Sequence, residues 1–503
     1  MEERQPFPLL ESQGLTLDAL GGQNPARKEL QGLVKMLKQG QAPPFSSYLL
    51  QGSTGSGKTT LGRALAGELF PLGIKSIHAE AADFVQDGPQ KLKDLFAEAR
   101  AAAAESPSGT AMVLIDEVEA LARIRSQQPD LATTVAASLA GPAGNVAMWA
   151  AQEHQLLVTL TSEMDKSSNV ILVGTTSRSD TMDYEASNRF QRKLDCPTPS
   201  GPEERLSILE SLVHRKRYQV DEGVLEEIAA ATPGDNPGKL ENNLRTAAAL
   251  GGGQISSKSA REARLQEAFG IARPVTNPDW MWRLTICHEL GHVVVRHLFE
   301  SMAQENQQPD HMPKGIDAVS FAPRGPANAA VFLKTSNNPA STFEWYMAEI
   351  SSNLAGRAAE AAFGNGHLSG GPGSDIQHAT SLTSEAVRGK GMGFTLGPVN
   401  AFNSPVTEAQ AKADEERIRQ VSDQIGASCV EFYHDFIENY AANMLTQRDN
   451  LDELTVSGKE LKEQLSAWEQ ADPQRSQKLA NLKAQIAREI AAIKAPAPQP
   501  LAL

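Results

Sequence analysis

Apolar runs of strand length alternate with amphipathic segments over about the first 200 residues of the chain. Three mostly apolar runs have the length of buried strands: residues 47–50, 111–115 and 169–173. Three further segments repeat apolar residues at helical spacing: residues 25–38, 58–69 and 91–104. Strands that alternate with helices predict a three-layer α/β domain with a parallel sheet.

Proline-rich clusters at residues 196–202 and 274–278 divide the remainder of the chain. The segments between and after them have the apolar spacing of helices. The predicted parts are a flexible N-terminus (1–13), an α/β domain (14–197), a helical domain (198–270), a mainly α-helical domain (275–465), and a C-terminal helix and tail (466–503). Residues 126–155 have the character of an insertion, to which the sequence assigns no role.

The last predicted helix carries an apolar stripe. Its members are Leu479, Leu482, Ile486, Ile490 and Ile493. Such a stripe packs either on the helix's own domain or on a partner helix, and the sequence leaves both interpretations open.

Composition narrows the classes of protein that fit. The 503 residues carry a net charge of −14 with a pI near 5.3, which argues against a nucleic acid as the main partner. The three cysteines are far apart in sequence, as suits a reducing compartment. The N-terminus lacks the pattern of a secretory signal, and no apolar run approaches the roughly 20 residues that span a bilayer. We therefore expect a soluble, cytoplasmic protein with no membrane segment.

A glycine-rich motif follows the first predicted strand and opens a helix. Residues 52–59 read GSTGSGKT and fit G-x-x-x-x-G-K-[ST], in the structural context that this motif requires. The backbone N–H groups of such a loop cradle the phosphates of ATP, while Lys58 reaches the β- and γ-phosphates and the hydroxyl of Thr59 lies on Mg²⁺. The candidate nucleotide-binding residues are Gly52, Ser53, Thr54, Gly55, Ser56, Gly57, Lys58, Thr59 and Thr60.

An apolar strand that ends in two carboxylates supplies the matching signal. Residues 112–117 read MVLIDE, which places Asp116 beside the Mg²⁺ ion and lets Glu117 polarise the attacking water. Alone, this pattern is more typical of a buried strand that meets solvent. Its position after the Lys58 motif, within the same predicted sheet, favours the catalytic interpretation.

A second chemical centre lies in the C-terminal half. Residues 288–292 read HELGH, and on a helix His288 and His292 share one face and can bind one Zn²⁺. Glu289 then lies beside the metal-bound water and can act as its general base. Apolar residues on both sides of the motif fit a helix buried in a core.

A catalytic zinc site needs a third protein ligand and an open fourth position. The extended pattern H-E-x-x-H-x-x-G-x-x-H is excluded, because Val295 and Leu298 stand where it needs glycine and histidine. The third ligand must therefore come from further along the chain. Spacing alone does not choose among the candidates, which are Glu344, Glu349, Glu360, His367, Asp375 and His378.

Taken in order, these motifs resemble the FtsH-type AAA+ metalloproteases, from about residue 15 to about residue 465. The segments 354–360 and 369–375 are similar to the two family markers downstream of the zinc helix. By that match Asp375 is the third zinc ligand and Glu360 supports the site. The resemblance implies an α/β AAA+ P-loop ATPase domain with a helical lid, followed by a mainly α-helical zinc metallopeptidase domain.

The ATPase half adds further implied residues. Arg189 and Arg192 resemble the paired arginine fingers of the family, which reach the γ-phosphate of a neighbouring subunit and so imply a homohexameric ring. Residues 232–234 and 240–249 resemble the lid. Ser177 occupies the sensor position near the γ-phosphate.

Three features depart from the family pattern. Ser177 stands where the family has asparagine, and Asp165-Lys-Ser replaces Asp-Gly-Phe in the inter-subunit signalling motif. The candidate pore loop, Phe84 and Val85, is ambiguous. Aligned from the following helix, Phe84 is the aromatic that grips substrate; aligned from the preceding strand, Phe84 is a core residue and the loop has lost four residues.

The resemblance therefore implies an ATP-dependent zinc endopeptidase that unfolds and cleaves polypeptides, with Zn²⁺, Mg²⁺ and ATP as cofactors. Two alternatives stay open. One is an ATPase-regulated peptidase that does not thread its substrate. The other is a chaperone-like remodelling ATPase whose protease is vestigial, although the intact zinc motif argues against it.

Overall fold

The structure is a computed structural model that describes residues 7–10, 14–22, 24–122, 144–307, 315–333, 342–367, 369–394 and 405–494. The chain divides into two compact units, Met1–Ser256 and Ser257–Leu503. Among the described helices, none is both long enough and apolar enough to cross a membrane.

The first unit alternates strands with helices, as predicted. Its elements are α1 (Asn24–Lys38), β1 (Ser47–Gln51), α2 (Lys58–Leu69), β2 (Ser76–Glu80), α3 (Ala82–Glu105), β3 (Ala111–Asp116), α4 (Gly144–Lys166), β4 (Val170–Thr176), α5 (Tyr184–Arg189), β5 (Arg192–Asp195), α6 (Pro202–Lys216), β6 (Gln219–Val220), α7 (Val224–Ala231), α8 (Pro237–Leu250) and β7 (Gln254–Ile255).

The five longer strands form one parallel sheet in the order β2-β3-β4-β1-β5. Successive side chains face opposite sides: Leu49 and Val113 enter one apolar core, and their neighbours Leu50 and Leu114 enter another. Both faces of the sheet are therefore covered, which explains why the strands appear in the sequence as continuous apolar runs.

The second unit is mainly helical. Its elements are α9 (Ser257–Phe269), α10 (Asp279–Glu305), β8 (Ile316–Ser320), β9 (Ala330–Leu333), α11 (Phe343–Phe363), α12 (Gly373–Ser384), α13 (Pro405–Phe432), α14 (His434–Thr446), β10 (Thr455–Ser457), α15 (Gly458–Gln470) and α16 (Pro473–Lys494). The three strands form an antiparallel sheet in the order β10-β8-β9. Helix α10 runs through the apolar core of the unit.

Helix α9 is placed differently from the sequence-based division. It belongs to the second unit, where Arg264 pairs with Asp317 in the interior and Glu262 pairs with Arg324. These ion pairs join residues more than 50 positions apart, so no local pattern predicts them. The helical domain predicted to end at residue 270 is thus shorter in the structure.

The apolar stripe of α16 is buried in the core of its own unit. This is the first of the two interpretations that the sequence left open. Residues 123–143, which include much of the predicted insertion, lie outside the described residues.

Candidate nucleotide site and candidate metal centre

The loop between β1 and α2 has the backbone form that the glycine-rich motif predicts. Gly55 and Gly57 have φ angles of +80° and +87°, a region that glycine enters without strain. Lys58, only 8% exposed, donates from Nζ to the carbonyl oxygens of Gly52 and Ser53, each at 2.8 Å. Burial lowers the pKa of Lys58, although nearby carboxylates oppose the shift.

A cavity of about 240 Å³ opens beside this loop within the first unit. The loop lines one side, and the apolar side chains of Ile208 and Leu212 from α6 line another. Gly238, near the start of α8, donates its N–H to the carbonyl of Gly55 at 2.9 Å and closes the cavity. The helical segment after the sheet therefore covers the loop, as a nucleotide lid does.

Asp116, at the end of β3, is held by three side chains. Its Oδ1 accepts from the hydroxyls of Thr59 at 2.9 Å and Thr175 at 3.0 Å. Its Oδ2 lies 2.9 Å from Nε2 of His78 on the neighbouring strand β2. Burial alone would raise the pKa of Asp116, but these hydrogen bonds lower it and keep the carboxylate charged. The contact places Thr59 and Asp116 close enough to bind one cation together.

His78 is a site residue that the sequence does not predict, because no recognised motif includes it. Because β2 pairs with β3 in parallel, the carboxyl end of β2 lies at the same edge of the sheet as Asp116. His78 is close to that end of β2. A histidine in the short apolar segment before residue 80 is the only signal that could have pointed to it.

Glu117 turns the chain away from the sheet. It has φ 57° and ψ 44°, and its N–H donates to the hydroxyl of Thr175 at 3.2 Å. Ser177 directly follows β4 and donates to Glu119. Asp116, Glu117 and Ser177 therefore lie where the carboxyl ends of β3 and β4 meet, which is the usual ligand side of an open α/β sheet.

The two candidate arginine fingers are held by carboxylates of the same chain. Arg189 makes two hydrogen bonds to Asp165, at 2.9 and 2.8 Å, and Arg192 makes two to Glu29, at 2.5 and 2.6 Å. Neither arginine is among the described residues that line the nucleotide cavity. This placement is compatible with contact to the nucleotide of another subunit.

Phe84 is fully buried, with 0% exposure, and packs in the core beside Phe7 at 6.2 Å between ring centroids. It lies in the first turn of α3, directly after β2. This position agrees with the alignment from the preceding strand, in which the loop has lost its aromatic. A role for Phe84 in gripping substrate does not fit this burial, because gripping needs an exposed ring. The side chain of Val85 lies outside the described residues.

In the second unit, α10 and α12 bring three metal-ligating side chains together. His288 Nε2 lies 3.1 Å from His292 Nε2 and 3.1 Å from Asp375 Oδ2, and His292 Nε2 lies 3.6 Å from the same carboxylate oxygen. Within the described residues, this is the one trio of His, Cys, Asp or Glu whose ligand atoms all lie within 4.8 Å of one another.

Hydrogen bonds from the Nδ1 atoms fix the orientation of the two imidazole rings. His292 Nδ1 donates to the carbonyl oxygen of Ser352 at 2.6 Å, and His288 Nδ1 donates to Glu360 Oε1 at 3.0 Å. When the rings are neutral, as metal binding requires, both Nε2 atoms carry lone pairs. Glu360 is fixed in turn by the N–H and hydroxyl of Ser369, at 2.8 and 2.7 Å. Such outer hydrogen bonds are typical of metal-ligating histidines.

The trio fits zinc. Ligands at about 2.0–2.1 Å in tetrahedral geometry lie roughly 3.3 Å apart, close to the separations that the structure has. Burial opposes protonation of His288, yet Asp375 and Glu360 raise its pKa to about 10, and the two histidines lower the pKa of Asp375 despite its burial. The two carboxylates therefore favour positive charge at the imidazoles, as a bound cation would supply.

Asp375 is the third residue of α12, and its carboxylate turns to the histidines. The helix begins after Pro372 without a side-chain cap, so Asp375 does not act as its N-cap. Two of the other candidate ligands are paired elsewhere: Glu349 with Arg296 and Glu344 with Lys494.

Glycine at position 356 lets α10 and α11 approach at this point. A Cβ on Gly356 would lie 2.6 Å from Cε1 of His288 and 2.7 Å from Cε1 of His292. A Cβ on Gly291 would lie 2.5 Å from the carbonyl oxygen of Ala355. Close helix packing therefore places the imidazoles against bare backbone.

Comparison with known families gives two matches. The model of the ATPase family associated with various cellular activities (AAA) matches residues 48–198, and that of peptidase family M41 matches residues 280–469. These matches confirm the predicted fold class and the order of its domains.

Curated relatives agree with both matches. The ATP-dependent zinc metalloprotease FtsH of Thermotoga maritima is 30% identical over 495 residues, which cover 90% of this chain and 73% of that protein. FTSH 8, chloroplastic, of Arabidopsis thaliana is 29% identical over 80% of this chain and 56% of its own length. FtsH 3 of Conexibacter woesei is 29% identical over 82% and 53%. The chain thus spans about half to three quarters of the length of these relatives.

Proposed function

The chain belongs to the FtsH family of ATP-dependent zinc metalloproteases, and on this basis we propose that it is an ATP-dependent zinc endopeptidase. The observation that carries the proposal is the convergence of His288, His292 and Asp375, whose ligand atoms lie within 4.8 Å of one another. A nucleotide site with a lid in the same chain supports the dependence on ATP.

At the candidate peptidase centre, zinc when bound would polarise the scissile carbonyl and the attacking water. Glu289 follows His288 directly and is only 9% exposed. Burial raises the pKa of Glu289, which suits a general base that takes a proton from water and returns it to the leaving amine. Glu360 and the Ser352 carbonyl orient the two imidazoles.

At the candidate ATPase centre, Lys58 would bind the β- and γ-phosphates, and Thr59 with Asp116 would hold Mg²⁺. Glu117 polarises the water that attacks the γ-phosphate. The charged state of Asp116 supports this assignment, because hydrogen bonds lower its pKa.

We also propose that the chain works as a homohexameric ring on polypeptide substrates. Arg189 and Arg192 would then leave their carboxylates, Asp165 and Glu29, and neutralise the γ-phosphate of a neighbouring subunit. The three cysteines are free and buried, which fits the reducing cytoplasm as the proposed location.

One observation favours a second candidate function, an ATPase-regulated peptidase that does not thread its substrate. Phe84 is in the core, so the described residues directly after β2 offer no gripping aromatic. A folded, tagged protein distinguishes the two functions. A threading enzyme degrades it with ATP, whereas a non-threading peptidase cleaves casein but leaves the folded protein intact.

Zinc content and casein cleavage, measured on the same preparations, test the proposed peptidase. We expect one zinc per chain and cleavage in the wild type, and zinc with no cleavage in Glu289→Gln. The ATPase rate of that variant should be unchanged, which serves as its folding control. Cleavage that persists in Glu289→Gln at the wild-type rate would place the peptidase site elsewhere.

A further inference from the structure

Buried Glu119 and exposed Ser177 form a hydrogen-bonded pair beside the nucleotide site. Glu119 lies on the short helical turn Val118–Leu121 that follows Asp116 and Glu117. Its Oε1 accepts two hydrogen bonds from Ser177, one from the backbone N–H and one from the hydroxyl, each at 3.2 Å. Glu119 is 9% exposed, and its Oε2 is buried without a hydrogen-bond partner among the described residues.

A buried carboxylate oxygen with no partner is costly, because burial removes its hydration and puts nothing in its place. Native proteins contain few such atoms, and those that persist call for a functional or structural reason. Elsewhere in the first unit, the buried carboxylate of Glu163 pairs with a cation, Arg100. In the part of the chain that the structure describes, Glu119 bonds Ser177 and no ion pair accounts for its burial.

The position of the pair relates it to the nucleotide. Strands β3 and β4 are parallel neighbours, with Ile115 opposite Gly174, so their carboxyl ends lie side by side. Thr175 bonds Asp116, and Ser177 is two residues further along the chain. Burial lowers the pKa of Lys58 and Glu119 opposes this shift, so the carboxylate is also within electrostatic range of the P-loop lysine.

A serine has one O–H, and at position 177 that proton is directed to Glu119. The lone pairs of Ser177 Oγ are therefore left as acceptors. Water that attacks a phosphoryl group must direct a lone pair at phosphorus and its two protons at acceptors. Glu117 supplies one acceptor. If the Ser177 proton were free to rotate, the hydroxyl could instead donate to the water oxygen, which is the unproductive direction.

We propose that Glu119 is a positioning residue for ATP hydrolysis, which fixes the Ser177 hydroxyl so that Ser177 accepts a hydrogen bond from the attacking water. The pair then replaces the single asparagine that the family has at the sensor position. No covalent step is added: Glu117 polarises the water, and Glu119 acts only through Ser177. This inference rests on the proposed ATPase function.

Substitution of Glu119 by methionine and by glutamine tests the proposal. Glu119→Met is close in length and offers no acceptor oxygen, so we expect kcat for ATP hydrolysis to fall at least about tenfold, or about 1.4 kcal/mol in the barrier. The affinity for a fluorescent ATP analogue should stay within about twofold, because no contact with ground-state nucleotide is lost. Glu119→Gln keeps an acceptor for both hydrogen bonds and should retain most of the turnover.

Ser177→Ala should lower kcat as much as Glu119→Met, and the double variant should be no slower than either one, because both changes disable one unit. A purely structural role predicts instead a lower melting temperature, weaker nucleotide binding and effects that multiply. If Glu119→Met does not fold, Glu119→Gln and Ser177→Ala decide: the proposal requires turnover near wild type in the first and low turnover in the second.

A wild-type kcat in Glu119→Met or in Ser177→Ala overturns the proposal. A kcat in Glu119→Gln as low as that expected for Glu119→Met overturns it as well. These outcomes differ from failure of the ATPase function itself. In that case the wild type would not hydrolyse ATP, or Glu117→Gln would turn over normally, whatever residue stands at position 119.

Discussion

At the residue scale, the zinc trio shows what sequence spacing can and cannot decide. His288, Glu289 and His292 follow from helical periodicity, because residues four apart share a face. Asp375 is 83 residues beyond His292, and spacing left it among six candidates. The family resemblance selected it, and the structure brings its carboxylate 3.1 Å from His288. Long-range contacts of this kind depend on the packing of helices and have no local pattern.

Asp375→Asn is expected to lose bound zinc and casein cleavage, because an amide is a much poorer zinc ligand than a carboxylate. The change is isosteric, and Asp375 does not cap its helix, so the melting temperature and the ATPase rate should stay near wild type. Zinc content by metal analysis is the measurement. A stable Asp375→Asn protein with full zinc and cleavage would transfer the ligand role to another carboxylate.

His78 represents the opposite case, a site residue with almost no sequence signal. It acts on Asp116 from a neighbouring strand, and strand pairing is set by the sheet as a whole. His78→Leu should require a several-fold higher Mg²⁺ concentration for half-maximal nucleotide binding, because Asp116 Oδ2 loses its donor. His78→Gln is the matched control, since its amide N–H can replace Nε2. An equal Mg²⁺ requirement in all three proteins would contradict this role.

At the scale of helices and strands, the sheet and the zinc helix are predictable because their apolar pattern is local. Residues 58–69 are α2 as predicted, and residues 111–115 lie within β3. The hydrophobic pattern is less informative for Phe84, because a phenylalanine after a strand can lie either in the core or in an exposed loop. Only the packing of Phe84 beside Phe7 separates them.

The approach of α10 to α11 makes a prediction for glycine. Gly356→Ala places a Cβ 2.6–2.7 Å from the imidazoles of His288 and His292, which Glu360 and Ser352 hold in place. We expect loss of zinc and of casein cleavage with retained ATPase activity. Gly426→Ala in α13 is the control, because its Cβ would make an ordinary 3.4 Å contact with Ala355 and alanine favours a helix by up to about 1 kcal/mol.

Metal content and melting temperature of the two alanine variants are the measurements. Equal zinc content in Gly356→Ala and Gly426→Ala would show that the two helices tolerate a side chain at the metal centre. The close approach of α11 to α10 would then not be required for zinc binding.

For the molecule as a whole, the arginines test the ring. Arg189→Ala is expected to lower ATP hydrolysis while nucleotide affinity stays near wild type, since its charge acts on another subunit's phosphate. Mixed with Lys58→Ala protein, it should recover part of the activity, because an intact pocket can then meet an intact arginine. Lys58→Ala mixed with Glu117→Gln is the control and should stay inactive. No recovery in rings of demonstrated mixed composition would contradict action between subunits.

The most direct test of an ATP-driven peptidase is to follow ATP hydrolysis and casein cleavage in one reaction, for the wild type and for Glu117→Gln with equal zinc content. We expect the wild type to cleave with ATP and far more slowly with ADP, and Glu117→Gln to bind ATP yet lose both activities together. Cleavage by Glu117→Gln at the wild-type rate, with hydrolysis abolished, would contradict the coupling of the two centres.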